Sequence, residues 1–270
     1  MAEFIVSIVL PMYNEELSIA PLREVFDGDL LLPIGCDHRI VVVDDGSQDS
    51  TLKLVNQWAQ ENSRVRIISH TRNMGVGQAI LTGFGEAIRT KSTCVITMDA
   101  DASHPGDLIT HLVNAVLNEG ADIAIASRFA RGGTMVGVPF YRQIYSYGAR
   151  LVLSLIFPLQ GVRDYTVGYR AYRTVLLSVA LSQAGGSFLN FHSFATSVEI
   201  LLKTAPQASK IIEIPLVLRY DYKKSPSKLR LWSTIRDYGK LFFLPKQKGP
   251  LGRGLRIAED SGIVERKVNI

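Results

Sequence analysis

Short apolar, β-branched runs alternate with amphipathic stretches through the first half of the chain. Such runs predict strands, and they cover residues 5–10, 39–43, 65–69, 94–98 and 122–126. Between them, apolar residues recur with the i, i+3, i+4, i+7 spacing of a helix over residues 50–59, 77–89 and 108–117. Strands that alternate with single helices predict an α/β fold, with a mostly parallel, Rossmann-like sheet covered by helices on both faces.

This regular alternation ends near residue 128. Beyond it the pattern predicts helices over residues 138–157, 193–203 and 229–244, one strand over residues 211–219, and a mixed stretch over residues 162–173. We therefore expect an α/β half over residues 1–128 and a region over residues 129–245 that completes the same domain. Residues 246–270 are expected to form a flexible tail.

The composition excludes several classes of protein. At 47% hydrophobic and 20% charged residues, the chain has enough apolar side chains for a core and is not a disordered polymer. Cys36 and Cys94 form no CxxC pair, which excludes a zinc ribbon and a disulfide scaffold and favours reduced thiols in the cytoplasm. No apolar run reaches the roughly 18 residues that a membrane span needs.

Positive charge is concentrated in one segment. Residues 219–248 contain nine Lys or Arg and two Asp, whereas the whole chain has a net charge of +5, so the remainder is slightly acidic. Nucleic acid, an anionic membrane surface and a phosphorylated ligand are all partners that such a segment attracts, and solvated surface charge is the alternative.

Acidic and polar residues follow three of the predicted strands. Parallel sheets bind ligands beyond the carboxyl ends of their strands, where this chain has YNEE at 13–16, DDGS at 44–47 and DADASHP at 99–105. Asp99 and Asp101 leave their strand at i and i+2, so a turn can aim both carboxylates at one point. Their hard oxygens suit Mg²⁺ or Mn²⁺, with diphosphate oxygens completing the coordination shell; the alternative is that they only form a turn.

Three other functions compete for these residues. Gly75-Val76-Gly77 mimics the dinucleotide-binding fingerprint of a nicotinamide dehydrogenase, but Ile80 occupies its third glycine position. A sugar-nucleotide pyrophosphorylase would need a basic, glycine-rich first loop where this chain is acidic. A non-catalytic nucleotide- or nucleic-acid-binding module would use the basic segment, although the acidic clusters would repel a polyanion without metal, so no nucleic acid is expected.

Taken together, these motifs resemble glycosyltransferase family 2, with its GT-A fold, and most closely the polyprenyl-phosphate (dolichyl-phosphate) mannosyl- and glucosyltransferase branch. The matching pieces, in family order, are VLPMYNE (9–15), VVDDGS (42–47), NMGVG (73–77), MDAD (98–101), SRF (127–129), VRDYTVGYR (162–170) and SKL (227–229).

The resemblance assigns roles to individual residues. It implies that Pro11, Tyr13, Glu15 and Asp44 hold the nucleoside of a nucleoside diphosphate sugar, so that residues 1–128 bind the donor. It also implies a set of residues around the metal, the diphosphate and an acceptor phosphate: Asp99 on the ribose or metal, Asp101 on the metal, Arg128 on the diphosphate or sugar, and Arg219 and Lys228 on phosphate. Ser103 replaces a glutamine that serves this branch as a further metal ligand, so Ser103 is a weaker third candidate for the metal.

The acceptor decides whether the reaction needs a base. A polyprenyl phosphate is already anionic, whereas a soluble hydroxyl acceptor needs a carboxylate to take its proton. Asp164 is the candidate base, and its alternative is an ion pair with Arg163 or Arg170. The resemblance implies a single displacement that inverts the anomeric centre, with Arg128 and Lys228 neutralising charge on the leaving group.

Two amphipathic segments bear on where the acceptor is met. Tyr141, Ile144, Tyr145, Leu151, Val152 and Leu155 can share one helix face. Together with the basic helix over residues 229–244, they predict peripheral contact with the cytoplasmic face of a membrane; packing of both helices on the sheet is the alternative.

Overall fold

A computed structural model describes residues 4–184, 188–191, 193, 195–222 and 231–241, without the side chains of residues 32 and 231–235. The predictions for Lys228 and for the tail over 246–270 lie outside the described residues, as do the ends of the helix predicted over 229–244.

A seven-stranded sheet in the order β3-β2-β1-β4-β7-β5-β8 organises the described chain. Its strands are β1 (Ile5–Met12), β2 (Asp37–Asp44), β3 (Val65–Ser69), β4 (Cys94–Thr97), β5 (Ile123–Ser127), β7 (Arg170–Arg173) and β8 (Ile211–Pro215). All neighbours are parallel except β7, which runs antiparallel between β4 and β5. The mostly parallel α/β sheet is thus confirmed, and the five strands predicted in the first half are present within three residues at each end.

Eight α-helices are described around this sheet. They are α1 (Ile19–Phe26), α2 (Thr51–Glu61), α3 (Val76–Arg89), α4 (Leu108–Leu117), α5 (Phe140–Ile156), α6 (Thr174–Gln183), α7 (Ala195–Thr204) and α8 (Leu231–Leu241). Helix α1 packs on α2, and α3 packs on α6 and α7. The strands between them carry the most buried apolar side chains, among them Ile8, Val42 and Ile96 at 0% exposure.

The prediction of one strand over residues 211–219 is wrong. After Pro215 the chain leaves the main sheet, because the Leu216 amide donates to Ser127 while its carbonyl accepts from Thr134. The following strand β9 (Val217–Arg219) instead pairs in parallel with β6 (Thr134–Val136) in a separate two-stranded sheet. This small sheet leads directly into α5.

One side of α5 carries an apolar surface that the described residues leave largely exposed. We call it the α5 apolar face, and its members are Phe140, Tyr141, Ile144, Tyr145, Tyr147, Leu151, Val152 and Leu155. The exposed fraction reaches 76% at Phe140 and 73% at Leu155. The two arginines of the helix make other contacts: Arg142 donates to the Tyr220 hydroxyl (2.8 Å) and also lies over the Tyr141 ring at the edge of this face, while Arg150 stacks over the Phe129 ring. The six residues predicted to share a face therefore do so, and they face away from the protein.

Candidate functional site

The polar segments after β1, β2 and β4 meet at one edge of the sheet. Met12 and Asp44 are register partners at the ends of β1 and β2, and the Asp45 amide donates to the Met12 carbonyl (2.7 Å). On the other side of β1, the Met98 amide donates to Val9 (3.2 Å) just before Asp99. The parallel sheet thus brings to one edge the acidic residues that the sequence spreads from Glu15 to Asp101.

Hydrogen bonds tie the loop after β1 to the turn after β2. The Asn14 amide donates to Ser47 Oγ (2.9 Å) and the Glu15 amide donates to Thr51 Oγ1 (2.7 Å). Asn14 has a left-handed backbone (φ 51°), which asparagine tolerates better than most residues. The loop that carries Tyr13 and Glu15 is therefore held next to Asp44.

Asp44 and Asp45 are both buried but have different contacts. Asp44 Oδ1 accepts from the Ser47 amide (3.4 Å), within its own turn. The Asp45 carboxylate accepts instead from the amides of Met74 (2.9 Å) and Gly75 (2.8 Å), at the start of α3. It occupies the amides that a dinucleotide-binding loop would offer to a pyrophosphate.

Gly77 also has a packing explanation. A Cβ at this position would lie 2.8 Å from the Thr196 side chain on α7, so the glycine permits close contact between α3 and α7. The dehydrogenase alternative loses its fingerprint for this reason, because neither Gly75 nor Gly77 is kept open for a ligand.

Asp99 and Asp101 belong to a turn with strained backbone geometry. Ala102 has a left-handed backbone (φ 61°), which is unusual for a residue with a side chain. Asp101 is 8% exposed, and its Oδ1 accepts from both the Ser103 amide (3.1 Å) and Ser103 Oγ (2.6 Å). The Ser103 hydroxyl is thus bonded to Asp101 and orients that carboxylate.

The carboxylates of Asp99 and Asp101 suit a divalent cation whose remaining ligands are water and the phosphate oxygens of a substrate. Within the described residues, no group of three or more His, Cys, Asp or Glu is placed to hold a metal ion. Two protein carboxylates are enough to bind Mg²⁺ or Mn²⁺ at a site for phosphate chemistry, because these ions keep several waters and take further ligands from substrate phosphates. The residues present therefore fit such a metal in a ternary complex.

Arg128 and Asp164 form a buried ion pair at the same edge. Asp164 is completely buried, and its two oxygens accept from Arg128 Nε (2.8 Å) and Nη2 (2.7 Å) in a bidentate arrangement. Asp164 thus forms an ion pair, as the alternative to a base role supposed, but its partner is Arg128 and not Arg163 or Arg170. Burial alone would raise the pKa of Asp164, but the Arg128 guanidinium holds that pKa below its usual value.

Further side chains that the sequence analysis gave no site role surround this pair. Thr166 Oγ1 accepts from Arg128 Nη2 (2.6 Å). Tyr238 from α8 is close enough to interact electrostatically with Arg128 and Asp164, and burial raises its pKa to about 12. The TVG stretch (166–168) was a signal for Thr166, but nothing in the apolar pattern of α8 distinguishes Tyr238 from a packing residue.

Arg219 connects the small sheet to the acidic turn. Its backbone amide donates to the Ser103 carbonyl (3.2 Å), while its guanidinium pairs with Asp221 (2.7 Å) and stacks on the Tyr222 ring (3.9 Å). The structure thus brings Arg219 beside the turn that carries Asp101.

The fold is of the GT-A type that glycosyltransferases use. Residues 7–179 match the model of glycosyl transferase family 2, which is more than half of the chain. The chain belongs to that family.

Similar curated proteins come from archaea, bacteria and fungi. The chain is 33% identical over 250 residues to a dolichol-phosphate mannosyltransferase of Pyrococcus furiosus, which covers 92% of this chain and 66% of that protein. It is 32% identical over 217 residues to a polyprenol monophosphomannose synthase of Mycolicibacterium smegmatis, covering 77% and 75% of the two chains. The chain therefore spans just under two thirds of the Pyrococcus relative.

A solved structure with a similar fold is glucosyl-3-phosphoglycerate synthase from Mycobacterium tuberculosis, in complex with Mn²⁺, UDP-glucose and phosphoglyceric acid. It has a TM-score of 0.61, 20% sequence identity, and coverage of 91% of this chain and 82% of that chain. At this identity the likeness supports the fold.

Proposed function

We propose that this protein transfers a sugar from a nucleoside diphosphate sugar to a polyprenyl phosphate at a membrane surface, with the help of Mg²⁺ or Mn²⁺. The observation that carries the proposal is the α5 apolar face, because the same helix contacts the candidate site from its opposite side. On that opposite side, Arg128 Nη1 lies 3.5 Å from Ser146 Oγ, and at the edge of the apolar face the rings of Phe129 and Tyr147 are 5.2 Å apart. A lipid that meets α5 is thus next to the site.

The donor's nucleoside would lie between the loops after β1 and β2. Pro11, Tyr13, Glu15 and Asp44 are the residues that the family resemblance assigns to this contact, and the hydrogen bonds from Asn14 and Glu15 hold the two loops together. Preformed loops lose little conformational entropy when a ligand binds.

The diphosphate would lie beside Asp99 and Asp101. A divalent metal bound here supplies charge neutralisation for the departing nucleoside diphosphate. Asp101 would bind that metal with its carboxylate, which Ser103 orients. Arg128 would present a planar guanidinium to the same negative charge.

A lipid phosphate needs no proton acceptor, since it is already anionic. Arg219, and Lys228 outside the described residues, are the basic candidates for its phosphate. Attack in a single displacement would invert the anomeric centre. The names of the Pyrococcus and Mycolicibacterium relatives support this choice of acceptor.

The alternative with a soluble hydroxyl acceptor needs Asp164 as the base. Full burial and a bidentate bond to Arg128 argue against this role, because a base must reach the proton that it takes. We therefore propose that Asp164 orients Arg128, and the base role remains an alternative for experiment.

A transfer assay tests the proposal directly. The purified protein is incubated with a panel of radiolabelled sugar nucleotides and Mn²⁺, with polyprenyl phosphate in vesicles or with soluble alcohols. We expect label in the lipid fraction for one donor, and its loss with a chelator. Transfer only to soluble alcohols would overturn the lipid acceptor.

A variant of Asp101 tests its proposed role as a metal ligand. Asp101→Asn should abolish transfer and metal-dependent nucleotide binding without unfolding the protein, while Asp107→Asn, an exposed carboxylate a few residues away, should resemble the wild type. An unchanged rate in Asp101→Asn would contradict the metal role.

A further inference from the structure

A histidine that the proposed chemistry does not use lies beside the candidate nucleoside site. His70 follows β3 directly, and its ring bridges two side chains: Nδ1 lies 2.7 Å from Asp45 Oδ1 and Nε2 lies 2.9 Å from Thr82 Oγ1 on α3. The side chains of His70 and Asp45 are only 10% and 4% exposed. Both ring nitrogens of His70 are therefore held by hydrogen bonds, and the ring is largely shielded from solvent.

Asp45 is the residue through which His70 acts. Besides the histidine, its carboxylate accepts from the backbone amides of Met74 and Gly75. The loop over residues 70–75 is thus held by one carboxylate, and the His70 amide adds a bond to the Asp44 carbonyl (2.8 Å).

This loop rests directly on the turn that carries Asp44. Gly46 has a left-handed backbone (φ 73°), and a Cβ there would lie 2.6 Å from the Arg72 carbonyl carbon and 2.8 Å from the Asn73 amide nitrogen. Because the two segments are in contact and the His70 amide is bonded to the Asp44 carbonyl, we expect a shift of the loop to move the turn as well. Asp44 is part of that turn and has one of its oxygens bonded within it.

We propose that His70 is a positioning residue for the donor site: by bridging Asp45 and Thr82, it locks the loop over residues 70–75 against the turn that presents Asp44 to the nucleoside. This inference rests on the proposed use of Asp44 for a nucleoside diphosphate. Without the ring, the Asp45 carboxylate loses its only side-chain donor among the hydrogen bonds described above, and the loop gains freedom that nucleotide binding must remove.

The test measures nucleotide affinity, not only turnover. Calorimetric titration of GDP and UDP with Mn²⁺ identifies the nucleotide that the wild type binds. His70→Ala should then raise its dissociation constant about tenfold, the lower end of the effect measured when a side chain that orients a metal ligand is lost. In the transfer assay, KM for the donor should rise with little change in kcat.

Two further variants separate positioning from general stability. His70→Asn retains an N–H donor for Asp45 and should restore much of the affinity, whereas Thr82→Val keeps the ring but frees its far nitrogen and should weaken binding to an intermediate degree. His111→Ala, on the exposed side of α4, is the matched control and should bind like the wild type. If His70→Ala does not fold, the affinities of His70→Asn and Thr82→Val still test the positioning role.

The outcomes distinguish this inference from the proposed function. Equal affinities in wild type, His70→Ala and Thr82→Val, with only the melting temperature lowered, would overturn the positioning role and leave the proposed function intact. A wild-type protein that binds neither nucleotide and transfers label from no member of the sugar-nucleotide panel would overturn the proposed function, and this inference with it.

Discussion

The ion pair of Arg128 and Asp164 shows how one buried charge can hold another in place. Each charge would be costly alone in this position, because burial removes its hydration. Together they satisfy each other, and Asp164 also accepts from the amides of Arg128 (3.1 Å) and Val167 (3.2 Å). The guanidinium is thereby fixed at the edge where a diphosphate would bind.

Asp164→Asn should therefore destabilise the protein. The amide cannot balance Arg128, and breaking a buried pair costs about 3–5 kcal/mol. Urea unfolding at pH 7 measures this loss. Asp29→Asn breaks an exposed pair with Arg64 and should cost less than about 1 kcal/mol. If Asp164→Asn kept its stability but lost transfer to a hydroxyl acceptor, Asp164 would be the base.

At the scale of elements, α3 is placed against β1 by small residues. Gly83 faces the sheet, and a Cβ there would overlap the Val9 side chain in β1. Gly85 lies two residues further along the same helix and has no neighbour within 4 Å of such a Cβ. The two glycines thus have the same helix propensity, but Gly83 packs tightly against β1 whereas Gly85 has free space around it.

Alanine at these two positions should have effects of opposite sign. Gly83→Ala should lower the free energy of unfolding by about 1–3 kcal/mol, because it overpacks the contact with β1. Gly85→Ala should raise it by about 0.5–1 kcal/mol through helix propensity alone. Urea unfolding of both variants checks the pair, and stabilisation by both would show that β1 and α3 can separate at no cost.

The α5 apolar face gives a prediction about membranes. Changing both Leu151 and Leu155 to Glu should abolish binding to phosphatidylglycerol vesicles, since burying one leucine contributes about 1.5–3 kcal/mol. Sedimentation with vesicles measures the bound fraction. Val175→Glu, at a position 68% exposed on α6, should leave binding unchanged. Equal binding by all three proteins would remove α5 from the membrane contact.

Sequence patterns predicted most of the elements with one clear period, although the amphipathic helix α1 was not predicted, and they missed elements without such a period. Helix α6 was missed because its sequence, TVLLSVALSQ, is apolar on most sides and gives no amphipathic signal. Strand β7 was missed because its four residues, RAYR, begin and end with arginine. The structure buries Arg170 to 1% exposure, and its two terminal nitrogens donate to the carbonyls of Ser197 and Tyr165. Both errors come from tertiary contacts that a local pattern does not contain.

The candidate site was predictable where it depended on strand ends. Asp44, Asp99 and Asp101 lie at the same edge of the sheet because parallel strands align their carboxyl ends, which the order of strands along the sequence already implied. The pairing of Arg128 with Asp164 was not, since 36 residues separate them and Arg163 and Arg170 were nearer in sequence. The role of His70 was hidden for the same reason: its partners Asp45 and Thr82 approach it only after β2, β3 and α3 have packed.

For the whole molecule, His38 at the start of β2 should make stability depend on pH. It is 3% exposed, and its Nε2 has no hydrogen-bond partner among the described residues. Burial, and then the charge of Arg64, lower the pKa of His38 below its usual value of about 6.5. A depressed histidine pKa means that the unfolded chain takes up a proton at a pH where the folded protein does not.

The free energy of unfolding should therefore fall as the pH decreases from about 6.5 towards the lower pKa of the folded protein. Below pH 4 it should fall again, because Arg128 depresses the pKa of Asp164 and the loss of that ionised carboxylate costs stability in the same direction. Urea unfolding between pH 3 and 8 follows both steps. His38→Phe should remove the step near pH 6 and keep the acidic one, while His111→Gln on the surface should keep both. A wild-type profile that is flat between pH 5 and 7 would show that His38 is solvated or protonated inside the fold, and that the packing around β2 is looser than its burial implies.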